Sequence, residues 1–225
     1  MNLSLTPGCV IAVLGAESSG KTDLARALAG RLAQQGIAAT LVPEYLREWC
    51  DREGRVPRPD EQAAIAAEQT RRIAGASRDG VVIADTTAVM TAVYSDMLFD
   101  DPSLYADALA AQRGYSATLL TALDLPWVAD GLQRDGPHVR EPVDALVRGA
   151  LMRAGVAFSV VHGIGGQRLD NAWNALGFAK PSEPRIAAVF EPEVEAPAEW
   201  TWSCDKCSDP VCEHRLFTRL VSQRT

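Results

Sequence analysis

The sequence predicts an α/β fold, a three-layer α/β/α sandwich around a mainly parallel five-stranded sheet with a small Cys/His tail after it. Three observations predict it: short apolar runs alternate with amphipathic helical stretches, a glycine-bearing loop joins the first run to the first helix, and a cysteine cluster follows a Pro/Glu-rich segment. With 225 residues, 22 Lys plus Arg, 29 Asp plus Glu and a formal charge of -7, the chain suits one buried core with attachments. That charge leaves no global basic field for nucleic acid or an anionic membrane, so any anion site must be local.

The first strand is expected at residues 10–14, Val-Ile-Ala-Val-Leu, a continuous apolar run covered on both faces. Leu24, Ala27, Leu28 and Leu32 then recur at helical spacing over residues 21–35, and Gly36 stands where a C-terminal cap belongs. Residues 39–42 read as a second strand, residues 44–49 as a loop or short helix, and Asp60 as the cap of a helix to about residue 74. Val81-Val82-Ile83-Ala84 is a third buried strand ending at Asp85. Helices from about residues 88 and 102 lead to a fourth strand at 117–122. Residues 126–140 are polar, glycine-bearing and charged, the composition of a lid loop. A helix over 142–154, a fifth strand at 157–161 and a helix over 167–176 complete the alternation, which implies a parallel sheet between helices.

The expected division is a core domain at 8–179, a Pro/Glu-rich linker at 180–198 and a Cys/His tail at 199–225. The apolar run ahead of Gly15 is too short for a membrane span, and no signal peptide fits, so a cytoplasmic location is expected.

Gly15-Ala16-Glu17-Ser18-Ser19-Gly20-Lys21-Thr22 has two glycines four residues apart, followed by Lys and Thr. This is the Walker A spacing of a P-loop. Glycine lets successive backbone N–H groups converge on phosphate oxygens, and the helix that follows adds its positive end. Lys21 supplies charge to the outer phosphates, and the Thr22 hydroxyl can ligate Mg²⁺. At ordinary residue frequencies the pattern arises by chance in only about 1% of chains this long. ATP and Mg²⁺ are therefore the expected cofactors. Asp85 stands at the strand end where such proteins place an acid near the metal, with a helix cap as the rival reading.

With these features in place, residues 10–176 resemble the ribosylnicotinamide kinase domain of the bifunctional NAD-biosynthesis regulators and its stand-alone relatives. The resemblance is carried by the octet, by Pro43-Glu44-Tyr45-Leu46-Arg47-Glu48, by Ala84-Asp85-Thr86-Thr87 running on to Val93-Tyr94, and by Pro126-Trp127-Val128-Ala129-Asp130-Gly131-Leu132. It implies transfer of the ATP γ-phosphoryl group to a ribose hydroxyl of nicotinamide riboside. No adenylyltransferase or N-terminal DNA-binding segment is recognisable, so the regulators' other activities are not carried over. The residues alone reach only a P-loop phosphotransferase.

On this reading Glu44 accepts the substrate hydroxyl proton or holds the ribose, with a surface carboxylate beside Arg47 as the rival. Arg47, Thr86 and Thr87 join it around the acceptor. Arg134 and Arg140 are candidates to close on the transferring phosphate. Trp127 can stack on the substrate ring or pack in the core, and Asp130 can bind the sugar or the ring's cation. Arg168 is a candidate adenine neighbour, against the rival of a solvated residue at a helix start. His138 and His162 read as structural or exposed.

In the tail, Cys204, Cys207, Cys212 and His214 lie within eleven residues and form a tetrahedral zinc-ligand set. The rivals are free thiols, a labile Cys204–Cys207 disulfide or an iron–sulfur cluster. Cys9 and Cys50 read as buried small apolar residues. Two other functions compete with a small-molecule kinase: a P-loop ATPase acting as a nucleotide-dependent switch on a protein or nucleic-acid partner, and a nucleic-acid module using Trp200, Trp202, Arg215 and Arg219. No Asn-Lys-x-Asp guanine motif is present, and the acidic charge disfavours nucleic acid.

Overall fold

β1, Val10–Leu14, lies at the centre of a five-stranded sheet, flanked by β3, Val81–Asp85, and β4, Ala117–Thr121. This computed structural model describes residues 3–128 and 137–178. β2, Ala39–Val42, pairs outside β3, and β5, Ser159–Val161, outside β4, giving the order β2-β3-β1-β4-β5. All four pairings are parallel, with Val13 opposite Asp85, Val42 opposite Ala84 and Leu14 opposite Leu120. Parallel pairing gathers the carboxyl ends of the strands on one edge, and the order reverses around β1 there, where α/β sheets leave a crevice for ligands.

The apolar runs are buried on both faces because helices cover both. Ile11 and Val13 pack with Leu24, Leu28 and Leu32 of α1, Lys21–Gln34, and with Ala172 of α7, Gly165–Ala175. On the opposite face Leu14 and Leu120 meet Ala88, Val89 and Val93 of α4, Ala88–Phe99, and Val143, Val147 and Leu151 of α6, Arg140–Arg153. Ile73 of α3, Pro59–Ser77, packs on Val10, Val82 and Ala84. Each fully buried Leu or Ile contributes about 1.5–3 kcal/mol. Cys9 and Cys50 are buried in this core, as expected. Among the described residues no helix is long and apolar enough to cross a membrane.

Several boundaries differ from expectation. The segment after β2 is a nine-residue helix, α2, Tyr45–Glu53, because Trp49 and Cys50 bury against Ile65 of α3. It stops at Gly54, whose φ of 67° permits a left-handed cap. Asp60 does not cap α3. Pro59 takes the first helical position, where its missing N–H is no loss, and the Glu61 carboxylate accepts the Arg58 N–H at 2.8 Å. α5 is Tyr105–Arg113, preceded by a turn at Pro102. α6 begins at Arg140 rather than Pro142, because a proline is tolerated in a first turn whose N–H groups lack intrahelical partners. That moves Arg140 out of the lid segment and into a helix. Residues 129–136, the linker at 180–198 and the tail with Cys204, Cys207, Cys212 and His214 lie outside the described residues, as do Asp130 and Arg134.

Candidate active site

The loop after β1 departs from ordinary backbone at three points: Gly15 has φ 150°, Ser18 has φ 50° and Gly20 has φ 75°. Gly20 precedes α1 without any side chain capping it, which leaves the helix N-terminal N–H groups for an anion. Lys21 Nζ donates to the Ala16 carbonyl oxygen at 2.9 Å, so its ammonium group arches back over the loop. Below, the Ser19 hydroxyl lies 2.6 Å from the Ala16 carbonyl and 2.7 Å from Thr121 Oγ1. On the side toward the segment after β4, the Ser18 hydroxyl donates to Val128 O at 2.6 Å and accepts from Val128 N at 3.3 Å.

Arg168 fastens this loop from beneath. Its side chain is buried within α7, and its guanidinium donates to Ser19 O (2.8 Å), Ala122 O (3.1 Å), Gly163 O (2.8 Å) and Asp124 Oδ1 (2.8 Å). The Asp124 carboxylate also accepts the Gly163 N–H at 2.6 Å. Burial pushes the Asp124 carboxyl upward, but the Gly163 N–H and the Arg168 cation outweigh it and hold it below the usual range. One planar, five-donor cation thus joins the loop to the ends of β4 and β5, a geometry only Arg provides.

Asp85 ends β3 and is 3% exposed, with Oδ1 unmatched by any hydrogen bond among the described residues. An orphaned buried carboxylate oxygen needs a cation or donor. Thr22 and Asp85 supply the hard oxygens that suit Mg²⁺, which takes one or two protein oxygens beside phosphates and water. Among the described residues there is no group of three or more His, Cys, Asp or Glu that could hold a metal, a set Mg²⁺ does not require. Thr86 follows with φ 78°, an unfavourable conformation for a β-branched residue, and its buried hydroxyl has no partner among the described residues.

Glu44 immediately precedes α2 and its side chain is 10% exposed, 3.7 Å from Arg47 Nε. It is therefore no freely solvated carboxylate. Val42 and Ala84 are register partners, so the loops carrying Glu44 and Asp85 leave adjacent strands side by side. Arg140 is 8% exposed; its Nη1 donates to Leu125 O at 2.9 Å, while Nε and Nη2 have no acceptor among the described residues. A buried guanidinium with idle donors is stabilised by an incoming anion. Trp127 is partly buried, with Nε1 likewise unmatched among the described residues.

The structure thus brings Lys21, Thr22, Asp85, Thr86 and Glu44 to one sheet edge. Thr87 instead serves the fold: it caps α4, accepting the Val89 N–H at 3.3 Å, and donates to Gln112 Oε1 at 2.7 Å. Arg168, expected beside adenine or in solvent, points inward because four oxygen acceptors from three segments converge there. His138 and His162 are exposed, as expected. Sequence reasoning missed Thr121, Asp124 and Gln69. Gln69 is the most legible in retrospect, since Gln62, Ala66, Gln69 and Ile73 share one helical face and a glutamine among core positions calls for a buried partner.

Comparison with known proteins bears on the fold that carries this site. Among solved structures the chain is similar to NadR protein in complex with NR, with a TM-score of 0.60 and 21% identity over 75% of this chain and 51% of that one. It is also similar to NadR protein in complex with NAD and AMP-PNP, with a TM-score of 0.56 and 20% identity over 77% of this chain and 51% of that one. The chain spans about half the length of these structures, and at such identities the likeness is one of fold. Comparison with curated proteins gives no match. Residues 10–168, from the first strand through the arginine that fastens the phosphate loop, match the AAA domain, and the chain belongs to that family of nucleotide-binding P-loop domains.

Proposed function

We propose that the chain is an ATP-dependent small-molecule kinase that phosphorylates a nucleoside hydroxyl, converting nicotinamide riboside to nicotinamide mononucleotide in the cytoplasm. One observation carries the reading: the phosphate loop, the buried Asp85 carboxylate and Glu44 stand at the ends of three successive neighbouring strands, β1, β3 and β2. That order matches donor, metal and acceptor. The resemblance of the motifs around Glu44, Asp85 and Trp127 to ribosylnicotinamide kinases supports the acceptor, as does the likeness to NadR in complex with NR.

Phosphoryl transfer is mainly positioning and charge neutralisation, so few groups suffice. The backbone N–H groups of residues 15–22 hold the β- and γ-phosphates, and Lys21 exchanges the Ala16 carbonyl for their oxygens. Thr22 and Asp85 would hold Mg²⁺, which would supply charge neutralisation for the outer phosphates. Glu44 accepts the proton of the ribose hydroxyl as that oxygen bonds to the γ-phosphorus and the bond to the β-bridging oxygen breaks, releasing ADP. Such a positioned base is worth about 10²–10⁴-fold in rate. Arg140, and Arg134 from residues outside those described, balance charge on the transferring group. Arg47, Thr86, Trp127 and Asp130 surround the acceptor, while Thr87 supports them by capping α4.

On the same proposal the chain is divided into a kinase domain at 8–179, a linker at 180–198 and a tail at 199–225 in which Cys204, Cys207, Cys212 and His214 would hold structural Zn²⁺. Incubation with ATP, Mg²⁺ and a panel of nucleosides, read by mass, tests the proposal. Nicotinamide mononucleotide from the wild type and none from Lys21→Ala is the expected result. Phosphorylation of other nucleosides only would overturn the acceptor. ATP hydrolysis indifferent to any nucleoside would favour the nucleotide switch.

A further inference from the structure

Gln69 of α3 is 2% exposed, and its carboxamide makes three main-chain hydrogen bonds. Oε1 accepts the Tyr45 N–H at 2.7 Å, and Nε2 donates to Pro43 O and to Thr86 O, each at 3.3 Å. The two acceptors and one donor around it dictate the orientation of the amide. Pro43 and Tyr45 flank Glu44, and Thr86 follows Asp85.

We infer that Gln69 is a positioning residue that locks the loop bearing the acceptor base to the loop bearing the metal-linked carboxylate. The inference rests on the kinase reading for the roles of Glu44 and Asp85. Three features support it. The backbone pairing of β2 with β3 ends at Val42 and Ala84, and beyond it Thr86 N–H turns to Val13 O of β1 at 3.0 Å, so the side-chain amide extends the β2–β3 connection past the strand ends. The contact to Thr86 O restrains a residue held at φ 78°, a conformation that persists only when its surroundings over-determine it. The amide spans both loops at once, so a shift of either one stretches bonds to the other. A base displaced by about 1 Å from its acceptor loses on the order of 10²-fold in rate.

The P-loop is not among the partners of Gln69, so its effect should appear in transfer to the acceptor and not in nucleotide binding. Gln69→Met removes the amide at similar volume. Gln69→Glu keeps the acceptor for Tyr45 N–H and sets a carboxylate against two carbonyl oxygens. Both are compared with wild type for kcat, for acceptor KM and for affinity toward a non-hydrolysable ATP analogue, after circular dichroism shows the native fold. The expected result is a loss of at least about tenfold in kcat/KM for the acceptor in both variants, with analogue affinity within about twofold. Gln69→Met combined with Glu44→Gln should lose little beyond the worse single variant, because the two act as a unit. Fully additive losses, or unchanged acceptor kinetics, would overturn the inference and leave the kinase reading standing.

Amide hydrogen exchange supplies an arm independent of the acceptor. Exchange at Tyr45 and across residues 85–87 should quicken in Gln69→Met while residues 15–22 keep their protection. Unchanged exchange at both loops would refute the lock. A wild type that phosphorylates no nucleoside would remove the kinase reading, and the exchange arm would still decide whether Gln69 joins the loops.

Discussion

Gly15 and Thr121 approach so closely that a Cβ on Gly15 would fall 2.0 Å from Thr121 Oγ1. The same hydroxyl lies 2.7 Å from Ser19 Oγ and 3.1 Å from Leu14 O, so the loop bearing Gly15 is pressed onto the end of β4. Gly15→Ala must displace backbone, since the obstacle is a rigid β-branched residue and φ is 150°. Loss of triphosphate binding by calorimetry is the expected outcome. Thr121→Val keeps the shape and removes the hydroxyl, and should cost about 1–2 kcal/mol in chemical unfolding with weaker nucleotide affinity. Binding unchanged in both variants would contradict the packing described.

Asp85→Asn conserves volume and removes the negative charge proposed to hold Mg²⁺. The Mg²⁺ concentration for half-maximal turnover should rise at least about tenfold, while nucleotide affinity without Mg²⁺ stays level or improves. An unshifted Mg²⁺ titration would remove Asp85 from the metal site.

Arg140 is buried, and its Nε and Nη2 have no acceptor among the described residues. Arg140→Met should lower kcat about 10²–10³-fold with small change in nucleotide affinity, and Arg140→Lys should recover only part of it, because an ammonium cannot reproduce the planar fork. A kcat within about twofold of wild type in Arg140→Met would make this arginine purely structural.

The Asp124 and Arg168 pair links stability to pH. Folding lowers the Asp124 carboxyl below its unfolded value of about 3.9. Its contribution is therefore fully present above that value and disappears as pH falls through the folded value. Thermal melts from about pH 6 to pH 2 should show the wild type losing more stability in acid than Asp124→Asn, which lacks the titrating group. Parallel curves would show that the pair contributes nothing to folding.

Gln62 is 2% exposed with Oε1 unmatched among the described residues. A buried acceptor left unsatisfied costs about 1–3 kcal/mol, so Gln62→Met should hold or raise the melting temperature. A fall of several degrees would reveal a hydrogen-bond partner for that oxygen.

Residues close in sequence made much of the site legible. The apolar run, the two glycines and the Lys21-Thr22 pair are consecutive, so strand, loop and helix follow from local sterics and periodicity. Asp85 was readable for the same reason, as the first polar residue after a buried strand. α2 was less so: its length depends on Trp49 and Cys50 finding Ile65 across a turn, a contact no local pattern announces. The tail cysteines and the lid segment around Asp130 and Arg134 lie outside the described residues.

The amino-acid order by itself determined that a phosphate-binding loop exists and which residues form it, because backbone conformation there is set by glycine's freedom and by its neighbours. Only the tertiary structure decided what the loop rests on. Arg168 reaches Ser19 across 149 positions, and Thr121 reaches Ser19 across 102. Such hydrogen bonds depend on which strands lie adjacent, and adjacency is settled by burying both faces of the sheet together, not by any single stretch of chain.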